Sequence, residues 1–125
     1  MSGRVVHFEI PFGDSDRAQE FYASAFGWRL RDSATGSSYI HADTGPSEAL
    51  EPTEIGFING GLLRREDPGQ GPIVVIEVDD IATALAKVVD AGGSVVLAAS
   101  KAGDTGTAAY FKDVEGNIMG LWQRA

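Results

Sequence analysis

Apolar and polar positions along this chain follow two alternating periods, two residues and then three to four. Arg4-Val5-Val6-His7-Phe8-Glu9-Ile10-Pro11 mixes β-branched with aromatic residues and stops at a proline, which predicts a strand with His7 and Glu9 on one face. Asp14 then stands at the N-cap position, and Ala18, Phe21, Tyr22 and Ala25 recur at i, i+3, i+4 and i+7 as the buried stripe of a helix ended by Gly27. Trp28 to Asp32 and Ser38 to Asp43 read as short strands flanking the turn-rich Ser33-Ala34-Thr35-Gly36-Ser37. Thr44 to Thr53 is the longest polar loop, and Glu54 to Arg65 reads as a strand broken at Gly60-Gly61.

The linker Glu66-Asp67-Pro68-Gly69-Gln70-Gly71-Pro72 separates this series from a second one of the same kind. Ile73 to Val78 is a strand, Asp79-Asp80 a cap, and Ile81, Leu85, Val88 and Val89 the apolar stripe of a helix closed by Gly92-Gly93. Ser94 to Ser100, Thr107 to Lys112 and Ile118 to Gln123 are three further strands, the first two joined through the turn Gly103-Asp104-Thr105-Gly106. Asp14 and Asp80, Ala18 and Ala84, Ala25 and Ala91, and Gly27 and Gly93 are each 66 positions apart, which marks an internal repeat. The expected class is α+β, with two tandem βαβββ modules at about 1–68 and about 72–125 inside one domain spanning 1–125. Neither half has a large core of its own, so the halves are expected to pack as a pair.

The closing strand explains most about the second half. Asp113-Val114-Glu115-Gly116-Asn117 is a hairpin turn in which Gly116 and Asn117 suit a positive φ. Beyond it, period two puts Ile118, Gly120 and Trp122 on one face and Met119, Leu121 and Gln123 on the other. A strand that is apolar on both faces belongs mid-sheet, and Gly120 leaves room beside it for a close backbone approach or for a ligand.

Composition narrows the chemistry. With 43% hydrophobic and 22% charged residues among 125, the chain is an ordinary globular sequence. It has no apolar run near the roughly 20 residues of a membrane span and no basic-then-apolar leader at Met1, so no membrane partner and a cytoplasmic location are expected. The absence of cysteine removes disulfides, thiolate metal sites and thiol nucleophiles. A net charge of −8 is unfavourable to phosphate backbones and excludes nucleic acid as the expected partner. It favours a small cationic organic ligand, although plain solvation accounts for the same acidity.

The pattern aromatic-x-Asp-x-x-Gly-Asn-x-x-x-Leu-Trp at residues 111–122, with Val6-His7-Phe8-Glu9-Ile10 and Phe21-Tyr22-x-x-x-Phe26-Gly27-Trp28, resembles the vicinal oxygen chelate superfamily. That is the glyoxalase, bleomycin-resistance and ring-cleaving dioxygenase group, and the resemblance covers nearly the whole chain. It implies a curved mixed sheet from the two halves around a shared cavity. It also implies four strand positions that hold one divalent cation in metal-dependent members. Here His7 matches the first-strand position, Ile73 its counterpart in the second half, and Gly120 the last-strand position, while the fourth falls on Gly60 or Gly61. One donor in four does not hold a metal, so no metal and no cofactor are expected. Glu9, Glu54 and His41 are further donors that no spacing rule brings to His7.

His7 itself reads as hydrogen-bonded core or as a pocket donor or base. Trp28, Tyr39, Phe57, Tyr110, Phe111 and Trp122 read as core or as an aromatic pocket lining. The expected ligand pocket is His7, Tyr39, Phe57, Ile73, Tyr110, Gly120 and Trp122. The leading functional expectation is a metal-free protein of the bleomycin-resistance type, binding a small organic molecule in a sheet-lined cavity or at the interface of a homodimer. The alternative is a metal-dependent lyase, isomerase or dioxygenase of the glyoxalase type. Metal-free acid–base catalysis by His7 or a glutamate is a third. Phe and Trp residues beyond the needs of one small core, together with strand edges that need covering, suggest the homodimer.

Overall fold

The computed structural model describes residues 3–33 and 37–125. The elements in chain order are β1 (Arg4–Phe12), α1 (Ser15–Phe26), β2 (Arg29–Asp32), β3 (Ile40–Asp43), β4 (Ser47–Glu48), β5 (Glu51–Pro52), β6 (Gly60–Arg64), β7 (Ile73–Glu77), α2 (Ile81–Asp90), β8 (Ser94–Ala102), β9 (Gly106–Lys112) and β10 (Ile118–Arg124). They form two compact units, one of His7–Pro72 and one of Ile73–Ala125 with the residues up to Val6. The middle of the expected turn at 33–37 lies outside the described residues.

In the first of these units β1 runs parallel to β6, β6 antiparallel to β3, and β3 antiparallel to β2. Helix α1 starts where the sequence puts its cap: the Asp14 carboxylate accepts the Arg17 backbone N–H at 3.0 Å. It stops at Gly27, whose φ of 73° lets its N–H turn back to the carbonyls of Tyr22 and Ala23. Phe12, Ile40 and Leu62 form the core, with Ile10, Ala18, Tyr22 and Leu30 packed against it. The expected helical stripe is only half buried. Ala18 and Tyr22 face the sheet, whereas Phe21 is 56% exposed and Ala25 is also exposed. Tyr22 stacks on Trp28 with ring centroids 4.6 Å apart, and Phe21 meets Tyr22 edge to face at 5.1 Å.

Two loop expectations are corrected. The segment 44–53 is not irregular throughout: β4 and β5 form a miniature hairpin whose turn residues Ala49 and Leu50 take φ of 51° and 70°. Residues 54–59 are not strand, and β6 begins only at Gly60. The hairpin is tied down by Asn59, which is buried. Its Oδ1 accepts the Thr44 N–H at 2.8 Å, and its Nδ2 donates to Ser47 Oγ at 2.8 Å and to the Leu50 carbonyl at 3.4 Å.

The other unit repeats the connectivity: β7 runs parallel to β10, β10 antiparallel to β9, and β9 antiparallel to β8. Strand β10 is therefore paired on both sides, as its two apolar faces require. Met119 and Leu121 meet α2 in a core of Ile81, Ala109, Phe111 and Leu121 bordered by Ile76, Val78, Ala84, Leu85 and Val88. Gln123 continues that face and accepts the Ile81 N–H on its Oε1 at 2.7 Å, satisfying one of the donors a helix leaves open at its start. Val89, expected in the stripe, is 53% exposed. In the turn after β9, the Asp113 carboxylate accepts the backbone N–H groups of Glu115 and Asn117 and the Asn117 amide. Gly116 alone takes positive φ there, at 84°; Asn117 does not.

The class is thus α+β with two βαβββ modules. Asp80 caps α2 through the Thr83 N–H at 2.9 Å as Asp14 caps α1, so the 66-residue spacing joins like positions. At the helix ends the spacing slips by one. The positive φ of the second module falls on Gly92, at 105°, not on Gly93.

Candidate functional site

Strand β1 presents Ile10 and Phe12 to α1, so period two sends His7 and Glu9 to the opposite face. Register carries that face across the sheet, since Glu9 pairs with Gly61, Gly61 with His41, and His41 with Arg31. Tyr39, two residues before His41, joins it. His7 Nε2 and Tyr39 Oη are 2.7 Å apart, with the two rings within 14° of parallel. Tyr39 in turn meets His41 edge to face at 5.3 Å. Beyond His41, Arg31 and the buried Asp43 form an ion pair at 2.6 Å.

Gly61 makes this arrangement possible. A Cβ at that position would run into the Tyr39 hydroxyl and the adjoining ring carbons, so the tyrosine occupies the space a side chain at 61 would need. The room beside Gly61 is filled by this aromatic side chain, which comes from the residue just before β3.

Burial holds the His7 imidazole at a pKa of about 4, well under the usual 6.5. The charge His41 carries when protonated adds to the depression, and Glu51, on β5, opposes it. His41 is also lowered, by burial first and by the Arg31 guanidinium second, with Asp43 opposing. Both imidazoles are therefore neutral at neutral pH. A neutral His7 either accepts the tyrosine proton on Nε2 or donates Nε2–H to the tyrosine oxygen. Either way it is a fixed, uncharged hydrogen-bonding group.

Within each unit the structure brings some of the expected pocket residues together. His7 and Tyr39 meet as described. Ile73, Tyr110 and Gly120 meet in the other unit, where a Cβ on Gly120 would lie 3.0 Å from Val75, 3.5 Å from Tyr110 and 3.6 Å from Ile73. The Phe57 ring lies over Gly45, and the Trp122 ring lies over Gly106. Sequence reasoning missed Glu51 and Asn59. Their only signal was a polar loop with an asparagine beside a glycine pair, which does not distinguish a buried organiser from a solvated turn.

Register also settles which glycine of β6 corresponds to Gly120. Val75 lies 66 residues after Glu9, Val75 pairs with Gly120 and Glu9 pairs with Gly61, so Gly61 is the equivalent position. Of the four ligand positions the resemblance implies, three carry Ile73, Gly61 and Gly120, and the fourth, His7, is engaged with Tyr39. Among the described residues no three side chains of ligating type come together. This donor set does not fit a divalent cation.

The family model described as Glyoxalase/Bleomycin resistance protein/Dioxygenase superfamily matches residues 4–121. The chain belongs to that superfamily. It is 32% identical over 120 residues to a Mycobacterium tuberculosis protein named "Putative glyoxylase CFP32", a match that covers 88% of this chain but only 41% of the relative. A "Glyoxylase-like domain-containing protein" of Didymella fabae is 28% identical over 130 residues, covering 99% of this chain and 96% of the relative. Among solved structures, a methylmalonyl-CoA epimerase of Streptomyces coelicolor superposes with a TM-score of 0.70 at 19% identity, covering 100% of this chain and 96% of that one. At that identity the likeness establishes the superfamily fold and no more. Among the described residues no helix is long and apolar enough to cross a membrane.

Proposed function

We propose that this superfamily member is a metal-free binding protein that holds a small organic molecule against the β-sheet face carrying His7, Tyr39 and His41. The observation that carries the reading is the 2.7 Å contact between His7 Nε2 and Tyr39 Oη, made over a glycine at a position where metal-dependent relatives are expected to carry a ligand. A histidine with a pKa of about 4 is a poor general base near neutrality, because proton transfer is most effective when the pKa lies near the working pH. The same histidine is a well-defined hydrogen-bonding group for a bound molecule. With His7 and His41 uncharged, Glu51 acting on His7, the Arg31 charge paired with Asp43 and a net charge of −8, the face favours a cationic ligand. The reading extends to a homodimer, supported by Phe21 and Phe26 at 56% and 66% exposure. Light scattering at micromolar concentration is expected to return twice the chain mass.

Calorimetric titration with a panel of small organic amines and guanidines tests the reading. At least one is expected to bind with a Kd weakened about tenfold or more by Tyr39→Phe, the loss of roughly one hydrogen bond. Stoichiometric binding of one zinc, nickel or manganese ion per chain, lost on His7→Ala, would restore the glyoxalase-type enzyme as the better account.

A further inference from the structure

The expected metal-binding positions and the residues that stand there disagree in an instructive way. In the first module the position on β6 is Gly61, and the volume a side chain there would fill holds the side chain of Tyr39, the residue just before β3. The ring and hydroxyl of Tyr39 lie where the Cβ of residue 61 would be, and the hydroxyl meets His7 Nε2. The second module has the same glycine without the same replacement. There Gly120 faces Val75, Ile73 and one ring carbon of Tyr110, none of them a polar atom. Register explains the difference. Tyr110 pairs directly with Gly120, whereas the residue paired with Gly61 is His41, and Tyr39 reaches Gly61 from two positions before His41, just ahead of β3. The diagonal approach lets the tip of Tyr39, not its ring edge, arrive beside His7.

We propose that Tyr39 and Gly61 are a matched pair in which the tyrosine hydroxyl has replaced a fourth-strand side chain as the partner of His7. The pair thereby fixes this half of the site as a hydrogen-bonding surface and withholds His7 from metal ions. Residue 61 is the specificity determinant, since only the absence of a side chain there leaves room for the tyrosine beside Nε2. This holds whichever molecule the face takes, so failure to find a ligand and failure of the pairing are separate results.

Two experiments on the whole chain test it. In a double-mutant cycle read by thermal unfolding, Gly61→Ala is expected to lower Tm by about 5 °C in the natural chain and by less than half as much in the Tyr39→Ala background. Equal losses in the two backgrounds would overturn the pairing. In calorimetric zinc titrations, the double variant Tyr39→Ala/Gly61→Glu is expected to bind at least about tenfold more tightly than Gly61→Glu alone, because removing the ring lets the carboxylate reach the ion beside His7. Equal zinc affinities for the two variants, or zinc binding by the natural chain that depends on His7, would overturn it as well.

Discussion

Gly61 and Gly120 hold the same register position in their two modules, one beside Glu9 and the other beside Val75, and yet they are packed differently. Around Gly61 the tip of Tyr39 leaves no space for a Cβ, while around Gly120 the nearest atom, a methyl of Val75, stands at 3.0 Å. A valine methyl gives way by a few tenths of an ångström more readily than a tyrosine committed to a hydrogen bond. Gly120→Ala is therefore expected to change stability by less than about 1 kcal/mol, since alanine also recovers part of what glycine costs in a strand. Gly61→Ala is expected to lose more. Urea unfolding of the two variants side by side checks this, and a larger loss at Gly120 would show that the packing has been misjudged.

The buried Asn59 is the most exacting polar group of the first module. Its three hydrogen bonds hold Thr44, Ser47 and Leu50, which flank and form the hairpin that carries Glu51. Replacing it by leucine keeps the volume but leaves the Thr44 N–H without its acceptor, at a cost of about 1–3 kcal/mol. Faster hydrogen exchange at residues 44–52, with β1 and α1 unchanged, is the expected signature. Uniform loosening of the whole chain would argue against so local a role.

Gln123 offers a simpler test. Its Oε1 is the acceptor for the Ile81 N–H at the start of α2, 42 residues away in the chain. Gln123→Leu preserves the apolar stem on the Met119 and Leu121 face but abandons that donor, and should lower stability by about 1 kcal/mol. Gln123→Glu keeps the acceptor and adds a negative charge near the helix start, so it should retain most of the stability. Denaturant midpoints for the two variants decide it. A glutamate variant as unstable as the leucine one would mean that packing, not the hydrogen bond, matters at this position.

These residues also show what a sequence reveals and what it withholds. Period-two and period-four patterns located both helices and most strands, and the Asp14 and Asp80 caps were legible because a carboxylate three residues ahead of a free N–H is a local device. The repeat was legible for the same reason, as local motifs recurred at a fixed spacing. The pairing of His7 with Tyr39 was not, because it depends on a parallel and an antiparallel register acting together across β1, β6 and β3. Nor was the exposure of Phe21. Periodicity names the apolar side of a helix but not how much of that side the sheet covers, and here Trp28 has already taken the place on Tyr22. A glycine in a strand pattern signalled close approach correctly, but which group approaches is a tertiary fact.

The pH dependence of stability follows from His7. In the unfolded chain its imidazole titrates near 6.5, and in the folded protein near 4, because charging it in the buried site is disfavoured. Between those values the unfolded state binds the proton and the folded state does not, so each step down in pH favours unfolding. The contribution is intact above about pH 6.5, is lost as pH falls toward 4, and levels off below that, where both states are protonated. A shift of this size corresponds to a loss of order 3 kcal/mol across the window, and His41, lowered in the same direction, adds to the same slope. Carboxylates titrate at the lower end of this range, so the decisive quantity is the difference between the natural chain and His7→Gln, which keeps a hydrogen-bonding group toward Tyr39 without a titratable ring. Unfolding free energies measured from pH 7 to pH 5 should fall more steeply for the natural chain than for His7→Gln. Parallel curves would mean that His7 titrates alike in the folded and unfolded chains, and with that the account of it as a fixed neutral group would fail.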